Sequence, residues 1–143
     1  MTRVNANLNF KHLSDQLILN ELGEITRILD LVEKRIIKNV PFDDIPSKFK
    51  LGAGHQKFFF NKCGFILNRY LQLRTEHEKR TGSKYSTEHL KEALRRYSSI
   101  KNVRPELCLG YVMDDVDEEL ILLRLNEKKL TYKRKHTYYG KTI

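Results

Sequence analysis

Apolar residues recur along this chain at helical spacing, and strand-like alternation is scarce. The first long run places Leu22, Ile25, Ile28, Leu29, Val32, Ile36 and Val40 on one helical face. Ser14 is the expected N-cap of this helix and Pro41 its stop. Gly23 lies inside it and costs about 1 kcal/mol relative to alanine, so the helix is expected to bend or loosen there. A second helix is predicted from Gly54 to Lys79, carrying Phe58, Phe59, Phe60, Phe65, Ile66, Leu67, Tyr70, Leu71 and Leu73. The triple Phe run is too hydrophobic for water on all sides and marks the centre of the core. Thr81-Gly82-Ser83 ends that helix, with Lys79 and Arg80 in the last turn where cations suit the helix dipole. Ser86 caps a third helix to Ile100. Asp115 and Glu118 form a capping-box pattern opening a fourth, which closes on Lys128 and Lys129. The tail from Leu130 to Ile143 is basic and aromatic and is expected to lie irregularly across the bundle surface. The pattern predicts a mostly α, compact single-domain bundle with long loops over 1–143.

Composition sharpens this picture. A chain of 143 residues suits one domain and can bury a core without disulfides or metals. Lys and Arg total 27 against 18 Asp and Glu, a formal charge of +9, and the positive charge clusters at the C-terminus. That excess points to a polyanion, most simply nucleic acid, with a merely solvated basic surface as the bland alternative. Lys133, Arg134, Lys135 and His136, with Tyr132, Tyr138 and Tyr139 interleaved, suit a DNA backbone. The tyrosines are expected to pack on the bundle. Cys63 and Cys108 have no metal-ligand spacing and read as buried free thiols. No signal-peptide pattern and no membrane-length apolar run occur, so the expected setting is intracellular, with no membrane partner.

The candidate chemistry lies at Thr2 and Glu24. Thr2 is small, so removal of Met1 is expected, leaving a threonine amine. An α-amine has a pKa of about 7.7–8.0, against about 10.4 for lysine, so it is a ready nucleophile near neutral pH. Taken alone, the pair is a weak motif, since a helical glutamate is usually just solvated. Arg3 reads equally as a terminal charge, and Arg27 as a partner of Asp30 or Glu24. His55 reads as a hydrogen-bonding or packing residue at a helix start. Gly52 and Gly54 precede no Gly-Lys-Ser/Thr, which excludes a Walker loop; they permit a tight turn into the Phe-rich segment.

Four segments raise the prospects of the pair: Met-Thr-Arg-Val-Asn at 1–5, Asn-Glu-Leu-Gly-Glu-Ile-Thr-Arg at 20–27, Leu-Gly-Ala-Gly-His-Gln-Lys-Phe-Phe-Phe at 51–60, and Arg-Leu-Asn-Glu-Lys at 124–128 with Tyr-Tyr-Gly-Lys at 138–141. Through them the chain resembles the phage-type endonuclease V family, pyrimidine-dimer DNA glycosylases with an associated abasic-site lyase. The resemblance spans nearly the whole chain except about 75–115. It implies a compact helical domain, a monomer, double-stranded DNA that is damaged or abasic as partner, and no cofactor or metal. It also implies the cytoplasm of a phage-infected host. The Thr2 amine would attack C1′ of a deoxyribose, with Glu24 matching the catalytic glutamate. Arg3 and Arg27 match arginines that hold phosphates, and Gln16, Arg124 and Lys128 match positions on the DNA-binding face.

The departures concern the shell around the lesion. Gly23 stands where the family has arginine, Thr26 where it has proline, Leu17 where it has a histidine, and Lys135-His136 where it has Trp-Tyr. The amine and the carboxylate are kept, so the chemistry is better supported than the lesion. A different damaged or modified base remains an alternative, as does a non-catalytic DNA-binding member.

Overall fold

The computed structural model describes residues 3–133 and 135–142; Thr2 and Arg134 lie outside them. The described chain forms six α-helices: α1 (Asp15–Ile25), α2 (Arg27–Ile37), α3 (His55–Phe58), α4 (Cys63–Thr81), α5 (Thr87–Val103) and α6 (Asp115–Lys129). A C-terminal hairpin follows, of β1 (Thr137–Tyr138) and β2 (Lys141–Thr142). The mostly helical single domain expected from the sequence is present, in one bundle. Its core runs from Val4, Ala6 and Leu8 through Leu22, Ile25, Ile28 and Leu29 to Phe59, Ile66, Tyr70 and Leu73, all fully buried.

The first predicted helix is in fact two. Gly23 is regular helix, and the interruption falls at Thr26 instead. There α1 leaves its packing on α4 and α2 begins its packing on α5, which one straight rod could not do. The Thr26 hydroxyl pairs with His89 Nε2 of α5 at 3.3 Å and anchors the bend. Pro41 does not end α2. Asn39, with φ 57°, does so in the left-handed region, where the Val40 N–H reaches the Arg35 carbonyl at 2.9 Å and the Asn39 N–H that of Ile36 at 3.1 Å.

The predicted helix over 54–79 also divides. A single turn, α3, follows Gly52 and Gly54, both at positive φ. The chain then turns before α4, so Phe58, Phe59 and Phe60 are all buried, which three successive positions of one helix could not achieve against one face. The segment at 108–109 crosses the start of α4, and the Leu109 carbonyl accepts from the Phe65 N–H at 3.0 Å. A Cβ on Gly64 would lie 2.7 Å from the Cys108 carbonyl, so only glycine fits this crossing. Both cysteines are free; Cys63 is buried, which pushes its thiol up to about 12, and Cys108 is half-buried.

Ser14 and Ser86 cap α1 and α5 as expected, each accepting a backbone N–H at 3.2 Å. The cap of α6 is Asp114 rather than Asp115, accepting from the Asp117 N–H at 2.8 Å. The tail is not irregular. Tyr139 and Gly140, both at positive φ, make a two-residue turn between β1 and β2, matching the geometry of a tight hairpin. Asp15 at the start of α1 holds it, accepting from Thr137 Oγ1 and the N–H groups of Tyr139 and Gly140 at 2.6–3.0 Å. The Arg80 guanidinium lies under Tyr138 and Tyr139. Among the described residues no helix is long and apolar enough to cross a membrane.

Candidate functional site

Residues Leu17, Asn20, Glu21 and Glu24 follow the i, i+3, i+4, i+7 spacing of one helical face, so α1 presents a polar strip beside Leu17. The N-terminal segment runs along this strip and α6 closes the far side. Between them lies a cleft of about 270 Å³, lined by Arg3, Asn5, Glu21, Glu24, Arg124 and Lys128 among others.

The N-terminal segment is fixed by polar contacts. The Arg3 N–H donates to Glu24 Oε2 at 3.2 Å. One residue on, the buried Val4 N–H donates to His55 Nε2 at 3.0 Å, and His55 Nδ1 donates to the Lys50 carbonyl at 2.9 Å. That pair of bonds requires the neutral imidazole with its proton on Nδ1. Burial lowers the His55 pKa below its ordinary value, with the charges of Arg124 and Arg3 acting in the same direction and the hydrogen bond to Lys50 opposing. Asn5 Nδ2 donates to Glu21 Oε1 at 2.7 Å. Glu21 is paired in turn with Arg69 at 2.9 Å, both almost wholly buried, and Arg69 also donates to the Leu8 carbonyl at 2.9 Å.

The cationic side of the cleft is less satisfied. Arg124 Nη2 donates to Asn5 Oδ1 at 2.6 Å. Arg124 Nε and Arg3 Nη1 are buried with no hydrogen-bond partner among the described residues. Burial, with the nearby Arg3 charge adding to it, lowers the Arg124 pKa to about 10. Two guanidinium groups that face one space with unused donors suit an anion, and a phosphate oxygen is the geometric match for such forks.

Of the residues expected from the sequence, Arg3, Glu24, Arg124 and Lys128 meet at this cleft. Gln16 does not line it; its amide binds Thr137, accepting from the N–H at 2.8 Å and donating to Oγ1 at 3.1 Å. Arg27 is exposed at the start of α2, outside the cleft lining, and Lys133 and Lys135 are exposed on the tail. Thr2 and Arg134 are outside the described residues. The sequence reading missed the Asn5–Glu21–Arg69 network. Its legible signal was Arg69, a charge at i+4 from Phe65 and i−4 from Leu73 on an otherwise apolar face. Among the described residues no group of three or more His, Cys, Asp or Glu side chains is placed to hold a metal ion. No protein-family model matches the chain.

Proposed function

We propose that this chain is a DNA glycosylase with abasic-site lyase activity, using the Thr2 amine as nucleophile and Glu24 as its acid–base partner on double-stranded DNA. The observation that carries the reading is the 3.2 Å contact between the Arg3 N–H and Glu24. That nitrogen is the peptide atom bonded to Thr2, so the carboxylate lies one residue from the candidate amine. The unpartnered donors of Arg3 and Arg124 beside it support a phosphate in the same cleft.

In this reading the Thr2 amine adds to C1′. At a damaged base the C1′–N bond breaks and the base leaves with a proton; the sugar ring then opens as C1′–O4′ breaks and O4′ is protonated. At an abasic site the amine condenses with the C1′ aldehyde and releases water. Either route gives a protonated imine. The Glu24 carboxylate removes a proton from C2′, and the electron pair expels the 3′ phosphate as C3′–O3′ breaks. Water then hydrolyses the imine and returns the amine. Arg3, Arg124 and Lys128 contribute register along the backbone rather than base specificity.

A second reading concerns the lesion alone. Gly23 lies outside the cleft lining, and a Cβ there would meet only the Tyr85 hydroxyl, at 3.8 Å; it supplies no cation where the resembling family has arginine. That favours abasic DNA, or another modified base, over pyrimidine dimers, because an abasic site needs no base to be unstacked. The test of the main reading is Glu24→Gln. The variant should bind abasic duplex nearly as well as the parent and cleave it about 10²–10⁴-fold more slowly in single-turnover assays. Unchanged cleavage would leave Glu24 as a surface charge and return the chain to a DNA-binding role.

A further inference from the structure

His55 grips the N-terminal segment from behind the cleft. It lines no part of the cleft and is 2% exposed, with Phe49 and Phe59 meeting its ring edge-on at centroid distances of 5.6 and 5.4 Å. Its backbone N–H donates to the Gly52 carbonyl at 3.1 Å, and its Nδ1 donates to the Lys50 carbonyl at 2.9 Å. The ring is therefore held by main chain and side chain alike, with Nε2 presented to the buried Val4 N–H at 3.0 Å. Arg3 is in turn held at both ends of its backbone. Its own N–H reaches α1, at Glu24 Oε2, 3.2 Å away, and the next N–H, that of Val4, reaches α3, at His55. Peptide units are planar, so two held N–H groups leave Arg3 little freedom in φ and ψ. The Val4 bond is the shorter of the two and is buried, whereas that of Arg3 is partly open to water. A hydrogen bond shielded from water is the stronger, so His55 is the anchor of the pair. The next hold, Asn5 on Glu21 at 2.7 Å, is one residue farther from Thr2.

We propose that His55 is a positioning residue for the reaction: by accepting the Val4 N–H it keeps the nitrogen that joins Arg3 to Thr2 beside Glu24, and so sets the approach of the Thr2 amine to the sugar. The proposal rests on the lyase reading above. Attack on C1′ needs a near-attack geometry, and a displacement of about 1 Å can cost about 10²-fold in rate. The hold requires the neutral ring, since a proton on Nε2 would set donor against donor. Burial keeps the ring neutral, opposed by the hydrogen bond to the Lys50 carbonyl; Arg124 of α6 and Arg3 of the N-terminal segment add to the effect of burial, and Glu21 of α1 opposes it. The charges that line the cleft thus help to keep His55 in the form that grips the segment.

Three variants separate the two ring nitrogens. His55→Gln keeps an acceptor with the reach of Nε2, His55→Asn keeps a donor with the reach of Nδ1, and His55→Leu keeps apolar volume alone. Each is compared with the parent, in full-length protein that has lost Met1, by circular dichroism, by hydrogen exchange at the Val4 amide without DNA, and by single-turnover cleavage of abasic duplex at saturating protein. The Val4 amide should be protected in the parent and in His55→Gln. In His55→Asn and His55→Leu it should exchange freely with helical circular dichroism unaltered, and cleavage should slow by about 10–10²-fold while affinity for the duplex stays that of the parent. His55→Gln should recover most of the rate. Across the set the rate should follow Val4 protection, and a rate that does not follow it overturns the proposal. A Val4 amide that stays protected in His55→Asn and His55→Leu overturns it as well, as does a loss that appears in affinity rather than in rate. A parent that leaves abasic duplex intact overturns the lyase reading itself, and with it the reaction that His55 would serve.

Discussion

His55 is the residue on which the position of the N-terminal segment turns, because its two ring nitrogens join Val4 to Lys50 across the core. Its lowered pKa has a definite consequence for stability. The unfolded chain binds the proton first, so the native state holds its full advantage above the ordinary histidine value of about 6.5 and loses it as pH falls towards the depressed native value. His55→Ala should cost about 1–3 kcal/mol near neutral pH, since it leaves the buried Val4 N–H without a partner. Urea unfolding at about pH 7.5 and about pH 5.5 should show the gap between parent and variant shrinking in acid. A gap independent of pH would mean that His55 acts through packing alone. His89 and His136 also have lowered values, from burial, and retain a smaller acid sensitivity in the variant. At this scale the sequence was informative where chemistry is written in a residue type, as for His55 as a hydrogen-bonding residue; the contact of the Arg3 N–H with Glu24 came from the fold. It was blind to Gln16 as a clasp for the tail, because that bond joins residues 121 positions apart.

Glycines separate the elements that sequence pattern reads well from those it does not. Gly23 and Gly64 are both helical, yet their surroundings oppose each other. Gly23→Ala should stabilise the protein by about 0.5–1 kcal/mol, because the new Cβ meets only ordinary contact and the unfolded chain loses freedom. Gly64→Ala should destabilise it by about 1–3 kcal/mol, because its Cβ would press on the Cys108 backbone. Gly23→Arg should raise excision of pyrimidine dimers more than abasic cleavage, compared side by side under single-turnover conditions. Parent protein that already processes dimers as fast as abasic sites would remove the doubt over the lesion. Helix existence was legible from periodicity, and the caps at Ser14 and Ser86 from residue type. The breaks at Thr26 and between Phe58 and Cys63 were not, because they are imposed by partners distant in sequence: His89 for one, the crossing at 108–109 for the other. The hairpin was hidden likewise, since its two strands have two residues each and depend on Asp15.

Over the whole molecule, a charge of +9 and a cleft whose arginines keep donors without a partner among the described residues support the proposed polyanion. Replacing Lys133, Arg134 and Lys135 together by alanine should flatten the dependence of log affinity on log salt by up to about 0.9 for each phosphate no longer neutralised. An unchanged slope would confine the DNA face to the cleft. The mostly helical architecture was readable from the chain, and Glu24 was singled out from it, whereas Glu21 beside it was not. The meeting of α1, α6 and the N-terminal segment in one cleft was not, since Arg124 and Asn5 touch only through the fold. The central claim rests on which amine reacts. Sodium borohydride reduction of the protein on abasic duplex, followed by peptide mapping of the adduct, measures this directly. The account predicts a covalent adduct on the α-amine of Thr2 in protein that has lost Met1, and little adduct in protein that retains it. An adduct on a lysine side chain, or equal trapping with Met1 in place, would contradict it.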